Sequence, residues 1–404
     1  MLIISLCLLL FINAMSIGLV FPIFAPLFTL AHAPLFSANT PLSTQTLFYT
    51  LILAAPTLCI VFSAPFWGRI SDRKGRKIIL ITSLLGIATS FGLSALGIYL
   101  GSLIVLFASR IFAGFMDGSE SVAQAALVDF SAPGDKARNL GFATFAGTIG
   151  FIIGPILGGF LAEPSLTGRF HYEIPFVLSL ILTCANALIL SYSFPKETTV
   201  TALSPPQASY FKLLSKGFSF CFDRRIRAYS FLLFVLQWSL AAFFQLSTLV
   251  LVEKFHYSSG QVGLFTTFLG ACFSGGIFFV IHVLLRRVAH VKLLKLGIGL
   301  LCFAIVSAIY FRHSTLIAWV SVVPMMVGIA MMYNVLLAFI SNAVTEAEQG
   351  EAMGSGTALK ALGWLVSGVI VGYLYSHLLL VLCIMLFVAV LAFITAMFLK
   401  QSQQ

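Results

Sequence analysis

Charge is what this sequence has least of. Only 9% of its 404 residues are Asp, Glu, Lys or Arg, against about 25% in a soluble domain, so a water-soluble globule is excluded. The common signatures of catalysis are missing as well. There is no H-E-x-x-H, no G-x-S-x-G and no H-x-x-x-x-D, and the 7 histidines are scattered singly. No G-x-x-x-x-G-K-[ST] loop occurs, so ATP is not bound through one; an enzyme is not expected. The 7 cysteines, Cys59, Cys184, Cys221, Cys272 and Cys302 among them, lie mostly inside apolar runs, without C-x-x-C or a histidine at ligand spacing. They read as small core residues, and no disulfide, metal or other cofactor is expected. The first apolar segment lacks a basic start and an A-x-A-like cleavage site, so it reads as a mature span.

What the chain has is apolar length. It is 60% hydrophobic, with a mean hydropathy of +1.05, and stretches of ~20 apolar residues, enough to cross a bilayer, recur along it. Pro, Gly and charge punctuate twelve candidate helices: 3–25, 46–67, 78–99, 103–128, 139–162, 174–194, 228–252, 261–285, 293–311, 315–340, 353–375 and 377–399. The segment 195–227, rich in Pro, Ser, Thr and basic residues, reads as a linker between two six-helix halves, 1–194 and 228–404. If both termini share a side, 18 of the 23 Lys and Arg lie on it, and only Arg169, Lys254 and Arg312 lie opposite. The positive-inside rule then puts termini and linker in the cytoplasm. The net charge of +10 is spread over separate short loops, which argues topology and against nucleic-acid binding.

Three motifs stand out. Between spans 2 and 3, "GRISDRKGRK" carries Gly68, Asp72, Arg73, Gly75, Arg76 and Lys77. Gly68 would let helix ends approach, Gly75 would permit a tight turn, and Asp72 would pair with bases or cap a helix. Span 5 contains Gly150, Gly154, Pro155, Gly158 and Gly159 in the pattern G-x-x-x-G-P-x-x-G-G; small residues at that spacing allow close packing, and the proline bends the span. Span 4 contains Arg110 and Gly114 as R-x-x-x-G, with Asp129 at its end and Arg138 after the following loop.

These motifs resemble the signatures of the major facilitator superfamily, whose loop cluster latches helix ends and whose span-5 pattern is typical of exporters. The first helix, "FINAMSIGLVFPIF", is similar to that of tetracycline-type drug:proton antiporters. The resemblance implies an all-α membrane protein of the major facilitator fold: 12 transmembrane helices in two pseudo-symmetric bundles rocking about a midplane site. It implies a multi-pass protein, in the cytoplasmic membrane if the source is bacterial, working as a monomer in the lipid bilayer. The expected function is proton-coupled export of a small organic compound, the partners being that solute and protons. An importer of a nutrient, peptide or siderophore on the same fold is the alternative.

The departure from that branch is the most informative feature. Asn13 stands where the tetracycline-type helix has an aspartate, while Asp117 and Glu120 occupy span 4. Intramembrane charges cost ~2.5–3.5 kcal/mol each, so they face a cavity or a partner. Two close carboxyls in a low dielectric do not both ionise cheaply, which suits them to carry a proton. Asp117 and Glu120 are therefore the expected proton-coupling pair on one helix face, with Arg110 ~10 Å away along the axis. The alternative is that both acids pair with Arg110, Lys360 or helix ends and merely lock helices together. Lys360 itself faces the cavity or snorkels to the interface. Gln237, Trp238, Gln245, Tyr333 and Asn334 would complete a polar-aromatic substrate lining with Arg110 and Asn13, or else make helix–helix hydrogen bonds.

Overall fold

The computed structural model describes residues 2–29, 35–37, 39–132, 135–163, 172–194, 221–284, 287–310, 313–345 and 349–399. The linker segment 195–220 therefore lies outside the described residues, as do Arg169, Arg286, Arg312 and Lys400. Within them the chain is helical and contains no strand. A backbone in lipid must satisfy its own hydrogen bonds, and a helix does so within one segment.

The helices of the first part are α1 (Leu2–Thr29), α2 (Leu42–Lys74), α3 (Arg76–Tyr99), α4 (Leu103–Asp117), α5 (Glu120–Asp129), α6 (Lys136–Leu161) and α7 (Ile174–Ser193). Those of the second are α8 (Arg227–Phe255), α9 (Ser259–Phe279), α10 (His290–Ala308), α11 (Thr315–Asn342), α12 (Gln349–Leu374) and α13 (Leu378–Met397). A π turn, Val280–Leu284, continues α9, and a 3-10 turn, Tyr375–His377, separates α12 from α13.

Ten stretches of the described residues are long and apolar enough to span a bilayer. One of them, Ser355–Met397, holds both α12 and α13. The fourth expected span is missing from the ten because it is broken: α4 has 15 residues and α5 has 10. With the joined pair and the broken span counted, the twelve crossings read from the sequence are present. The continuous helix expected over 103–128 is corrected to two.

The chain forms two compact units. The first comprises Met1–Ala38, Ala55–Leu213 and Tyr257–Thr267; the second comprises Asn39–Ala54, Leu214–His256 and Phe268–Gln404. The first turns of α2 thus pack in the second unit, and those of α9 in the first. Within the first unit α1 lies along α6, and α3 packs on α4 and α7. Its core gathers Leu6, Leu9, Leu80, Leu84, Val122 and Leu190. Within the second unit α10 packs on α11 and α8 on α12. Nearly all of the apolar stretch of α8 is buried, so this helix meets protein on nearly every side. Thr46 and Thr50 of α2 donate from Oγ1 to the carbonyls of Gly372 and Gly368 at 2.7 and 2.6 Å.

Candidate functional site

The break in the fourth span sits at the acids. Asp117 is the last residue of α4 and Glu120 the first of α5, with Gly118 and Ser119 between them. In an unbroken helix the N–H groups of residues 118 and 119 would reach carbonyls 114 and 115. Here both turn to the carbonyl of Met116 instead. Two carbonyls are left without helical partners, and α2 supplies them: Ser63 Oγ donates to Gly114 O at 3.2 Å and Trp67 Nε1 donates to Phe115 O at 2.7 Å. The approach is close because Gly118 lacks a side chain; a Cβ there would lie 2.2 Å from Ser63 Oγ and 2.7 Å from Ala64 N. Trp67 is held by Phe66 and Phe115, at ring-centroid distances of 5.3 and 5.7 Å.

Asp117 is half-buried and Glu120 exposed. Among the described residues no hydrogen bond reaches Asp117, while Glu120 Oε1 accepts from Gln124 Nε2 at 3.4 Å. Neither acid forms an ion pair there. Arg110 is 6% exposed, and its guanidinium lies between the rings of Phe91 and Phe176, 5.9 and 6.0 Å from their centroids. Such contacts favour a cation over an aromatic face. Its Nε has no partner among the described residues. Asn13, buried on α1, likewise leaves Oδ1 without a partner among them. The tight pairing of both acids with Arg110 is therefore not what this geometry contains.

In the second unit Gln237, Trp238 and Gln245 lie on α8, Tyr333 and Asn334 on α11, and Lys360 on α12. Gln237 and Trp238 pack against Gly363, where a Cβ would come within 2.9 Å of Trp238 N. Ser367 Oγ donates to Gln245 Oε1 at 2.8 Å, a helix–helix hydrogen bond. Asn334 Nδ2 turns back to Ala330 O at 2.9 Å on its own helix. Tyr333 is half-buried and Lys360 is exposed.

The glycines of α6 serve two neighbours. Cβ atoms at Gly150, Gly154 and Gly158 would lie 2.3, 2.3 and 2.2 Å from the carbonyls of Phe11, Met15 and Leu19 on α1. On the other face, a Cβ at Gly159 would lie 2.5 Å from Ser259 O, and one at Gly263 would lie 2.3 Å from Pro155 O. Thr267 Oγ1 adds a bond to Ile152 O at 3.0 Å. At the α2–α3 loop, Gly75 takes φ 91, a value that favours glycine. Arg76 Nε donates to Asp129 Oδ2 at 3.1 Å, and Arg76 Nη1 donates to Ser71 Oγ. One expectation is corrected. A Cβ at Gly68 would meet nothing within 4 Å, so no close approach depends on it here. Arg138 pairs with Asp135 at 3.3 Å, one helical turn away. Arg73 is exposed and Lys77 half-buried, and the Asp72 side chain lies outside the described residues.

The profile of the Major Facilitator Superfamily matches residues 6–368. The chain belongs to this superfamily. Its sequence is 26% identical over 374 residues to the class H tetracycline resistance protein of Pasteurella multocida, covering 91% of this chain and 87% of that one. It is also 26% identical over 372 residues to multidrug resistance protein 1 of Bacillus subtilis, covering 91% and 88%. Among solved structures, the nucleoside transporter NupG superposes with a TM-score of 0.74 at 14% identity, covering 99% of this chain and 100% of that one. That likeness supports the superfamily fold.

For a superfamily member the most informative residues lie outside the motifs. Ser63 and Trp67 were not singled out in the sequence, because one serine and one tryptophan in an apolar run carry no periodic signal. Glu163, which accepts from Gly260 N at 3.0 Å, was not singled out either. The one readable hint there was S-x-x-Q at Ser258–Gln261, a capping box. Gln261 Oε1 accepts from Ser258 N at 3.0 Å and Ser258 Oγ from Gln261 N at 3.4 Å.

Proposed function

We propose that the chain is a secondary active transporter that exports a small, drug-like organic compound in exchange for protons by alternating access. The two six-helix halves, 1–194 and 228–404, move as the rocking bodies, with both termini in the cytoplasm and one chain as the working unit. Relatives named for tetracycline and multidrug resistance support the direction and the cargo class. One observation carries the coupling: two acids flank a break in the fourth span with no ion pair among the described residues. Asp117 and Glu120 form the proton-coupling site, and Arg110, held between Phe91 and Phe176, organises it. Trp238 Nε1 and Gln245 Nε2 are buried donors without partners among the described residues, suited to an acceptor on the cargo.

The test is transport in vesicles containing the purified chain, with a tetracycline, a quinolone and a lipophilic dye cation as probes. Wild type accumulates at least one probe when a proton gradient is imposed. Asp117→Asn and Glu120→Gln lose gradient-driven accumulation by tenfold or more, yet still exchange labelled for unlabelled probe. No movement of any probe, or unchanged coupling in both variants, overturns the proposal.

A further inference from the structure

The break between α4 and α5 gives the two acids opposite electrostatic surroundings. Asp117 ends α4 and meets the carbonyl end of that helix, which carries partial negative charge. Glu120 begins α5 and meets its amide end, which carries partial positive charge. Three residues apart in an unbroken helix, they would be near equivalents. The break separates them.

A break at mid-span is unfavourable unless the freed backbone groups find partners, since lipid offers none. Two carbonyls are freed, and two donors on α2 meet them: Ser63 Oγ at Gly114 O, 3.2 Å, and Trp67 Nε1 at Phe115 O, 2.7 Å. Indole Nε1 only donates, so it has no other polar role to play there. The glycine at 118 lets α2 come near enough for both bonds. Among the described residues the charges that act on Asp117 are Arg110 on its own helix and Glu120 across the break. What α2 and α3 bring to this turn, Ser63, Ala64, Trp67 and Gly86, does not titrate.

We infer that Ser63 and Trp67 are positioning residues of the proton site, holding the break open so that the two acids keep different surroundings and the exchanged proton is carried by Asp117. In the cycle the Asp117 carboxylate binds one proton from water on the side of higher proton activity, and the carboxylic acid returns it to water on the other. The inference rests on the proton-coupled reading above, but its test needs no cargo.

The experiment is infrared difference spectroscopy across pH on the full chain in phosphatidylethanolamine–phosphatidylglycerol vesicles, following the carbonyl band of protonated carboxyl groups. A titrating component of that band is expected in wild type and Glu120→Gln, and its loss is expected in Asp117→Asn. Trp67→Phe, which keeps an aromatic ring and deletes the donor, displaces the midpoint by about 0.5 pH unit; Ser63→Ala displaces it by less. A residue needed only for packing would lower the melting temperature and leave the midpoint in place. Survival of the titrating component in Asp117→Asn, or its loss in Glu120→Gln, overturns the division of roles. An unmoved midpoint in Trp67→Phe overturns the positioning role, and if that variant does not fold, an unmoved midpoint in Ser63→Ala does so. If the band behaves as expected and no probe is transported, only the efflux reading fails.

Discussion

Glu163 Oε2 accepts a hydrogen bond from the backbone N–H of Gly260 at 3.0 Å, so the residue just past α6 caps the first turn of α9, 97 positions away. The reciprocal Ser258–Gln261 box satisfies other free amides of that turn. Removing the carboxylate thus takes one cap and leaves the rest. Glu163→Ala is expected to cost about 1 kcal/mol, and Glu163→Gln less, because the amide oxygen still accepts. Thermal melting of the purified proteins orders the three; equal melting of Ala variant and wild type would deny the clasp any weight.

Tyr172 stands beside this clasp, outside the helices. Burial pushes its phenol up from the usual 10.0 to about 12, opposed by a hydrogen bond with Ser259 and aided by the Glu163 charge. A raised value means the folded state prefers the neutral phenol. The stability it contributes is whole below pH 10 and drains away as pH climbs toward about 12. Tyr172→Phe removes the titrating group, so its melting temperature falls less steeply than that of wild type across that window.

The α1–α6 contact predicts a contrast between two glycines of one helix. A Cβ at Gly158 would lie 2.2 Å from Leu19 O, whereas one at Gly141 would meet nothing within 4 Å. Gly158→Ala forces backbones apart at a cost of about 1–3 kcal/mol. Gly141→Ala stabilises by about 0.5–1 kcal/mol through chain entropy. Melting temperatures of both variants check the sign.

At the α2–α3 loop the Arg76–Asp129 pair spans 3.1 Å, with side chains 21% and 51% exposed. Pairs this open to solvent contribute no more than ~1 kcal/mol. Asp129→Asn therefore leaves folding almost unchanged. If the pair latches one conformation, transport rate falls severalfold at the same protein level. A rate equal to wild type would leave Arg76 a structural role only.

How much of this was legible depended on the length scale of the signal. Span number and family came through because each rests on long apolar runs or on contiguous motifs such as Gly68–Lys77. The double duty of α6 was half legible: Gly150, Gly154 and Gly158 announce a packing face, but nothing local says that Gly159 and the Pro155 carbonyl face a different helix. The break at Gly118–Ser119 was hinted at by the turn-forming run Asp117–Glu120 but escaped because two acids three apart also fit one helix face, and the groups that bond its freed carbonyls, Ser63 and Trp67, lie some fifty residues earlier. Gln245 illustrates the remaining ambiguity. A buried amide on a helix reads equally as ligand contact or interhelical bond, and only the position of Ser367 decides its oxygen's partner.

Helix α6 meets α1 and α9 largely through glycine main chain, with Phe151 against Phe21 an exception. Surfaces of that kind behave as bearings. A few degrees of rotation or a small axial slip changes van der Waals contacts gradually and asks no buried rotamer to flip. The polar bonds on the α9 side, Thr267 to Ile152 O within α6 and Gly260 N to Glu163 just past its end, are the contacts such a motion would have to break.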